Sequence, residues 1–321
     1  MGKFRAEPIT DSQAAAFWTD SPQATGFTHP DMLAQCADRV DWWGAWRSED
    51  LVAVWPVCAT ESEMARPPIF LYYVGPMFSG EIHDFKYHRY QAIRQQALEV
   101  LIPQVLSHYG ALRFSMPPGE TDMRAFDWWN HDHADSGRFQ LHVRQTARIQ
   151  DLQRPIEQLR QDMARNRKRD LRLKPTRLRG PTSDWSPDEI VALHNEPMLR
   201  QDQRIPSERI DTLQRVIAAA DNGRGAVLAW RDEEDGSLAS VIVLIYGPRE
   251  ANDVLCVASE RWRDRGLAAW TTWKGIQRAR ADGKETFDFN GANSPTRAAD
   301  KHSYNARAEI YFNITYAPAG G

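Results

Sequence analysis

Between Asp253 and Gly291 the chain reads as strand, helix and strand within about forty residues, and that order constrains the fold more than any other stretch. Val254 to Ala258 is a short run rich in β-branched residues, the composition of a buried strand. Gly266 to Asp282 places Leu267, Trp270, Trp273 and Ile276 at helical spacing, and Gly283 follows as a residue suited to a left-handed turn. Thr286 to Asn290 alternates Phe287 and Phe289 with Asp288 and Asn290. A βαβ unit of this length predicts two parallel, neighbouring strands.

The joint between the first strand and the helix is Arg263-Asp264-Arg265-Gly266-Leu267-Ala268, an R-x-x-G-x-A sequence. First-turn N–H groups of a helix lack internal partners, and the macrodipole adds partial positive charge there. A glycine lets an anion approach the backbone, and arginines add full charge. The segment is therefore a candidate site for a phosphate or pyrophosphate. An ordinary helix start with two solvated arginines has the same sequence.

Two more strand-like runs precede the unit, Ala226 to Trp230 and Leu238 to Tyr246, joined by the polar turn Arg231 to Gly236. In this order the sequence resembles the GNAT acyltransferase superfamily, whose acyl-CoA pyrophosphate sits on a Q/R-x-x-G-x-G/A loop at this place. More narrowly it resembles the Fem-type, tandem-GNAT branch. The residues behind that resemblance are Arg165-Asn166-Arg167-Lys168, the string Phe287-Asp288-Phe289-Asn290-Gly291, and Lys301. It covers most of the C-terminal half and the N-terminal half in outline. It implies an α+β / α/β fold of two tandem GNAT-like domains, each a mixed, mostly antiparallel sheet flanked by helices.

The resemblance also assigns roles. The acyl donor lies against the backbone of Val257 and Ala258, with its phosphates on Arg263, Arg265, Gly266 and Ala268. Asp288 and Asn290 end the second strand and point into the gap that holds the thioester. A carboxylate there orients or deprotonates an amine, or else holds the following loop. Tyr304 lies where many GNAT enzymes keep a general acid for the leaving thiolate. Arg297 and Lys301, in a loop, clamp an anionic acceptor or are surface charge.

At 321 residues the chain is long for one core, and two domains are expected, 1–145 and 146–321. A hydrophobic content of 42% with 26% charged residues fits a globular protein. No run approaches the roughly eighteen apolar residues of a membrane span, and the N-terminus lacks a secretory pattern. Cys36, Cys58 and Cys256 are scattered, which suggests reduced thiols and a cytoplasmic setting. A net charge of −3 excludes a globally basic nucleic-acid binder but not a local patch. Serine-hydrolase, P-loop and dinucleotide motifs are missing. The Asn130-His131-Asp132-His133-Ala134-Asp135 segment lacks metal-site spacing, so no metal is expected.

The N-terminal half repeats the order of elements. Strands are predicted at Val40 to Trp46, Leu51 to Ala59 and Ile69 to Val74, and a helix at Tyr87 to Tyr109 kinked at Pro103. A further strand runs from Ala111 to Met116, and the order as a whole suggests an internal duplication. Where the C-terminal copy has arginines and glycine, this copy has Gly80-Glu81-Ile82-His83-Asp84-Phe85, which would repel a pyrophosphate. Residues Arg154 to Arg179 carry ten basic side chains against Glu157, Asp162 and Asp170. There Arg165, Arg167 and Lys168 are candidates for a phosphate or tRNA backbone, or form a solvated helix face.

Three readings follow. The first is an N-acyltransferase moving an acyl group from acyl-CoA to a small amine. The second is a Fem-type aminoacyltransferase using aminoacyl-tRNA to form an amide. The third is a catalytically silent GNAT-like binding module.

Overall fold

The computed structural model describes residues 3–59, 64–133, 135–172, 175–263 and 265–318. The chain folds into two compact units, Met1–Arg144 with Ile310–Gly321, and Gln145–Glu309. A single cut after residue 145 would have placed the closing segment with the C-terminal unit.

In unit 1, β1 (Phe4–Pro8) is followed by α1 (Asp11–Asp20) and α2 (Pro30–Cys36). Thr10 starts α1 with a capping box to Gln13, and His29 accepts the Asp31 N–H at the start of α2. The expected hairpin forms as β2 (Arg39–Arg47) and β3 (Asp50–Ala59), with Ser48 in the left-handed region at its turn. After β4 (Met64–Ala65), the segment 69–74 is not a strand. Phe70 and Tyr73 have positive φ, and prolines at 67, 68 and 76 flank the segment, so the extended run is interrupted. The strand lies further on, as β5 (Met77–Phe78).

Next come α3 (Gly80–His83), α4 (Tyr87–Tyr109), β6 (Ala111–Ser115) and α5 (Arg124–Asp127). The helix α4 runs through Pro103, which is exposed, and ends at Gly110 with φ 64. One antiparallel sheet has the order β1-β2-β3-β5. The inner face of α4 (Ile93, Ala97, Leu98, Leu101, Val105) packs with Trp55, Phe78, Phe114 and Phe126 in the core of the unit.

The strand β7 (Arg138–Ile149) leads into unit 2. The basic segment then forms two short helices, α6 (Ile156–Gln161) and α7 (Arg165–Asp170), before β8 (Leu178–Thr182). The helix α8 (Pro187–Leu199) starts at a Ser186–Glu189 capping box and is followed by α9 (Ser207–Ala219). The hairpin β9 (Gly225–Asp232) and β10 (Leu238–Tyr246) leads to β11 (Glu250–Ala258). Short α10 (Glu260–Arg263), α11 (Leu267–Ala281), β12 (Thr286–Asp288), α12 (Pro295–His302) and β13 (Arg307–Ala317) complete the chain.

The strands β8 to β11 are antiparallel neighbours, β11 and β12 are parallel, and β12 meets the end of β7 antiparallel. Trp273 and Ile276 of α11 pack on Ile242, Leu244, Phe287 and Tyr304. Among the described residues, no helix is long and apolar enough to cross a membrane.

Candidate active site

The parallel ladder between β11 and β12 has three positions, Glu250–Asn252 against Thr286–Asp288, and then ends. A bulge lies at the same place. Val243 stands opposite Leu255 and Leu244 opposite Asp253, so Val254 is an extra residue in the pairing of β11 with β10. A bulge bends its strand and increases the local twist, which carries β11 away from β12. Among the described residues, β11 past Asn252 is paired through β10 alone, and the half-buried Val257 and Ala258 lie in this stretch.

Asn290 holds the parting strands. Its backbone turns to φ 47, so the alternation that would align Asn290 with Asp288 breaks after β12. Its Nδ2 donates to the Asp253 carbonyl at 3.0 Å, while its Oδ1 is buried and without a hydrogen bond.

Asp288 belongs to the wall of this region. It is 1% exposed, and its Oδ1 accepts from Thr146 Oγ1 at 2.5 Å and from the Asn290 N–H at 2.8 Å. Arg148 Nε stands 3.4 Å from Oδ2. Burial raises its pKa, against Arg148 and the Thr146 hydrogen bond. A carboxylate so enclosed orients the strand end, and the expectation that it reaches an amine in the gap does not fit these contacts.

Asp253, which sequence reasoning did not single out, fits that role better. It is the first residue of β11 past the ladder; it is half-buried, and its Oδ1 is sealed from solvent without a hydrogen bond. Burial pushes its carboxyl up to about 7, aided by Asp288 and Asp300 and opposed by Lys301. A carboxylate that titrates near neutrality can take and release a proton under ordinary conditions.

Lys301 and Arg297 lie on α12 and not in a loop. Lys301 Nζ donates to the carbonyls of Phe289, Asn290 and Gly291, so its three hydrogens pin the loop after β12. Arg297 is exposed. Tyr304 is 2% exposed, with its hydroxyl on the Ala269 carbonyl at 3.2 Å and its pKa raised by burial.

Arg167 is likewise internal. Its Nε donates to Ser303 Oγ at 2.9 Å, Nη2 bonds Asp300, and the guanidinium stacks 4.4 Å from the Tyr304 ring centre. It therefore does not offer a free fork to phosphate, whereas Arg165 is exposed and Lys168 Nζ donates to the Gln161 carbonyl at 3.0 Å. Replacing Arg167 by Ala is expected to cost about 2 kcal/mol, the scale of lost charged hydrogen bonds. Denaturant unfolding with an unchanged m-value checks this.

At the open end of the gap, Gly266 takes φ 76 at the start of α11, and no side chain among the described residues caps the helix. Arg265 and Ala268 are exposed, and Arg265 lies over Trp262 at 5.1 Å. The side chain of Arg263 and the whole of Asp264 lie outside the described residues. The loop is anchored through Trp262, whose Nε1 donates to the buried Asp232 at 2.9 Å. Asp170 of α7 abuts Gly266, with its Cβ 3.3 Å from where a Cβ on that glycine would stand.

A sequence model described as an acetyltransferase (GNAT) domain matches residues 157–298. Unit 2 carries a GNAT domain. No curated protein matches the chain in sequence.

Three solved structures align along nearly the whole length. FemX is 11% identical with a TM-score of 0.66, covering 96% of each chain. A tandem GNAT protein from the clavulanic acid biosynthesis pathway is 12% identical with a TM-score of 0.56, covering 99% of each. L-PGS from Bacillus licheniformis is 13% identical with a TM-score of 0.54, covering 97% of this chain and 93% of the other. These are likenesses of fold: the chain shares its fold with FemX, the tandem GNAT protein and L-PGS. The matched segment lies within unit 2 and is similar to GNAT acetyltransferase domains.

Proposed function

We propose that this GNAT domain moves an acyl group from the thioester of an acyl-CoA to the nitrogen of a small amine. The supporting observation is the parting of β11 from β12 at Asp253, with the uncapped start of α11 at its open end. Backbone groups of Val257 and Ala258 line the gap, and Arg263, Arg265, Gly266 and Ala268 form the phosphate end. Asp253 takes a proton from the acceptor ammonium. The freed nitrogen attacks the thioester carbonyl carbon, and the C–S bond breaks. The proton shed by the nitrogen goes to the departing sulfur, leaving an amide and the free CoA thiol, while Asp253 returns its proton to solvent. Tyr304 is placed to hold α11, and Asp288 and Asn290 to hold the strand ends. Three free cysteines, two of them buried, suit a reducing cytoplasmic setting.

Asp170 favours the second reading, in which aminoacyl-tRNA is the donor. Its carboxylate stands beside the helix start that a pyrophosphate would use, and the exposed Arg165 and Arg169 lie on the same short helix. Thermal shift separates the two, because a bound donor raises the melting temperature by linkage. Under the CoA reading, CoA stabilises the wild type, and Asp170→Asn tightens its binding about three- to tenfold by removing a like charge near the helix start. Indifference of both proteins to millimolar CoA, with release of free tRNA from aminoacyl-tRNA, establishes the second reading.

A further inference from the structure

Unit 1 contains a cavity of about 400 Å³ between the start of α4 and the loop 119–122. That size lies within the usual range for small-molecule pockets, roughly 300–1,000 Å³. Its lining includes Arg94, Gln91, Glu120, Tyr90, Phe85 and Tyr87. The polar groups form a chain fixed from inside. The Phe78 N–H donates to Gln23 Oε1 at 3.1 Å, which assigns the orientation of that amide. Gln23 Nε2 then donates to Glu120 Oε1 at 2.8 Å and to His83 Nε2 at 2.7 Å. With that amide orientation, His83 Nε2 is the acceptor in this contact.

Arg94 is 3% exposed. Its Nη1 donates to the Asp122 carbonyl at 2.7 Å, and Nη2 lies 3.2 Å from Glu120 Oε2. Neither Nε nor Nη2 makes a hydrogen bond, although both atoms are buried. Those two hydrogens form the side of a guanidinium that grips a carboxylate in two-point fashion. Gln91 Oε1 is a buried acceptor, also without a hydrogen bond. Buried polar atoms in this state carry a cost that a ligand can remove.

We propose that this cavity binds a free α-amino acid. The ligand carboxylate meets the Nε and Nη2 side of Arg94. The ammonium meets Gln91 Oε1 and Glu120, and Phe85, Tyr87 and Tyr90 receive the side chain. Charge balance selects a zwitterion. Arg94 and Arg124 offset Glu120 and Asp122, with Arg124 Nη2 on Asp122 at 2.6 Å, and a net-neutral ligand preserves that balance. A phosphate does not. The site is separate from the donor site of unit 2 and does not depend on how that site is read.

The test is hydrogen–deuterium exchange of the full chain with each proteinogenic amino acid at roughly 10 mM, a weak-binding regime. At least one is expected to slow exchange in residues 83–94 and 119–122. Its N-acetyl and carboxamide derivatives are expected to bind at least tenfold more weakly, since each removes one charge. Gln91→Leu roughly keeps volume and deletes the side-chain amide with its buried acceptor, so the fold persists while affinity falls about tenfold. The proposal is overturned if no amino acid protects these residues or if protection is confined to unit 2. It is equally overturned if the capped derivatives bind as well as the parent, or if Gln91→Leu binds like wild type.

Discussion

Asp253→Asn is expected to lower kcat/KM for acyl transfer by about a hundredfold or more, the scale of a lost general base. The same loss in kcat marks an interaction made in the transition state. In the wild type, the rate should climb with pH through an apparent pKa near 7, where burial holds the Asp253 carboxyl. The variant should lose that limb. Stability should respond in the opposite sense. The unfolded carboxyl releases its proton near 3.8, whereas the folded one keeps it to about 7. Stability therefore falls as pH rises through that window, because ionising the folded group is costly. Asn escapes this, so the variant should match wild type near pH 4. It should exceed it by up to about 4 kcal/mol at pH 8, at 1.36 kcal/mol per pKa unit. A variant that keeps its turnover, or gains no stability at pH 8, removes Asp253 from the mechanism.

Gly266→Val is expected to abolish the thermal shift given by CoA. A β-branched residue at φ 76 is strained, and its Cβ would press on Asp170 at 3.3 Å. The helix start must turn or move, and the first-turn N–H groups lose their aim at an anion. Donor affinity should fall at least tenfold in isothermal titration. The cost to global stability should be only about 1–2 kcal/mol, the price of a left-handed non-glycine residue. An unchanged affinity for CoA would show that this helix start is not the phosphate site.

Much of the fold was legible because periodicity and punctuation agreed. The helix at Tyr87–Tyr109 matched its apolar stripe and its closing glycine, and the parallel pair β11 and β12 followed from strand, helix and Gly283. The segment 69–74 misled because a run rich in aromatic and β-branched residues says nothing of two left-handed backbones inside it. The site was less legible for a related reason. The resemblance put Asp288 and Asn290 in the gap and alternation set them on one side, but alternation is valid only within a ladder, and β12 ends at Asp288. Asp253 became visible only through the bulge at Val254, which depends on the pairing with β10 and leaves no mark in the local sequence. Arg167 had the right charge for phosphate, and only tertiary contacts show that Ser303, Asp300 and Tyr304 take it up.

The short ladder between β11 and β12 also sets a direction for change in this chain. Selection for stability alone would zip the two strands together, since each added rung satisfies two backbone groups that otherwise need water or a ligand. Flattening the bulge at Val254, or returning Asn290 to an extended backbone, would do so. The protein would become sturdier and its sheet more regular, and it would lose the gap that the proposed acyl transfer uses. Engineers who rank substitutions here by melting temperature will select against the proposed site, because the gap persists only while the sheet stays unfinished.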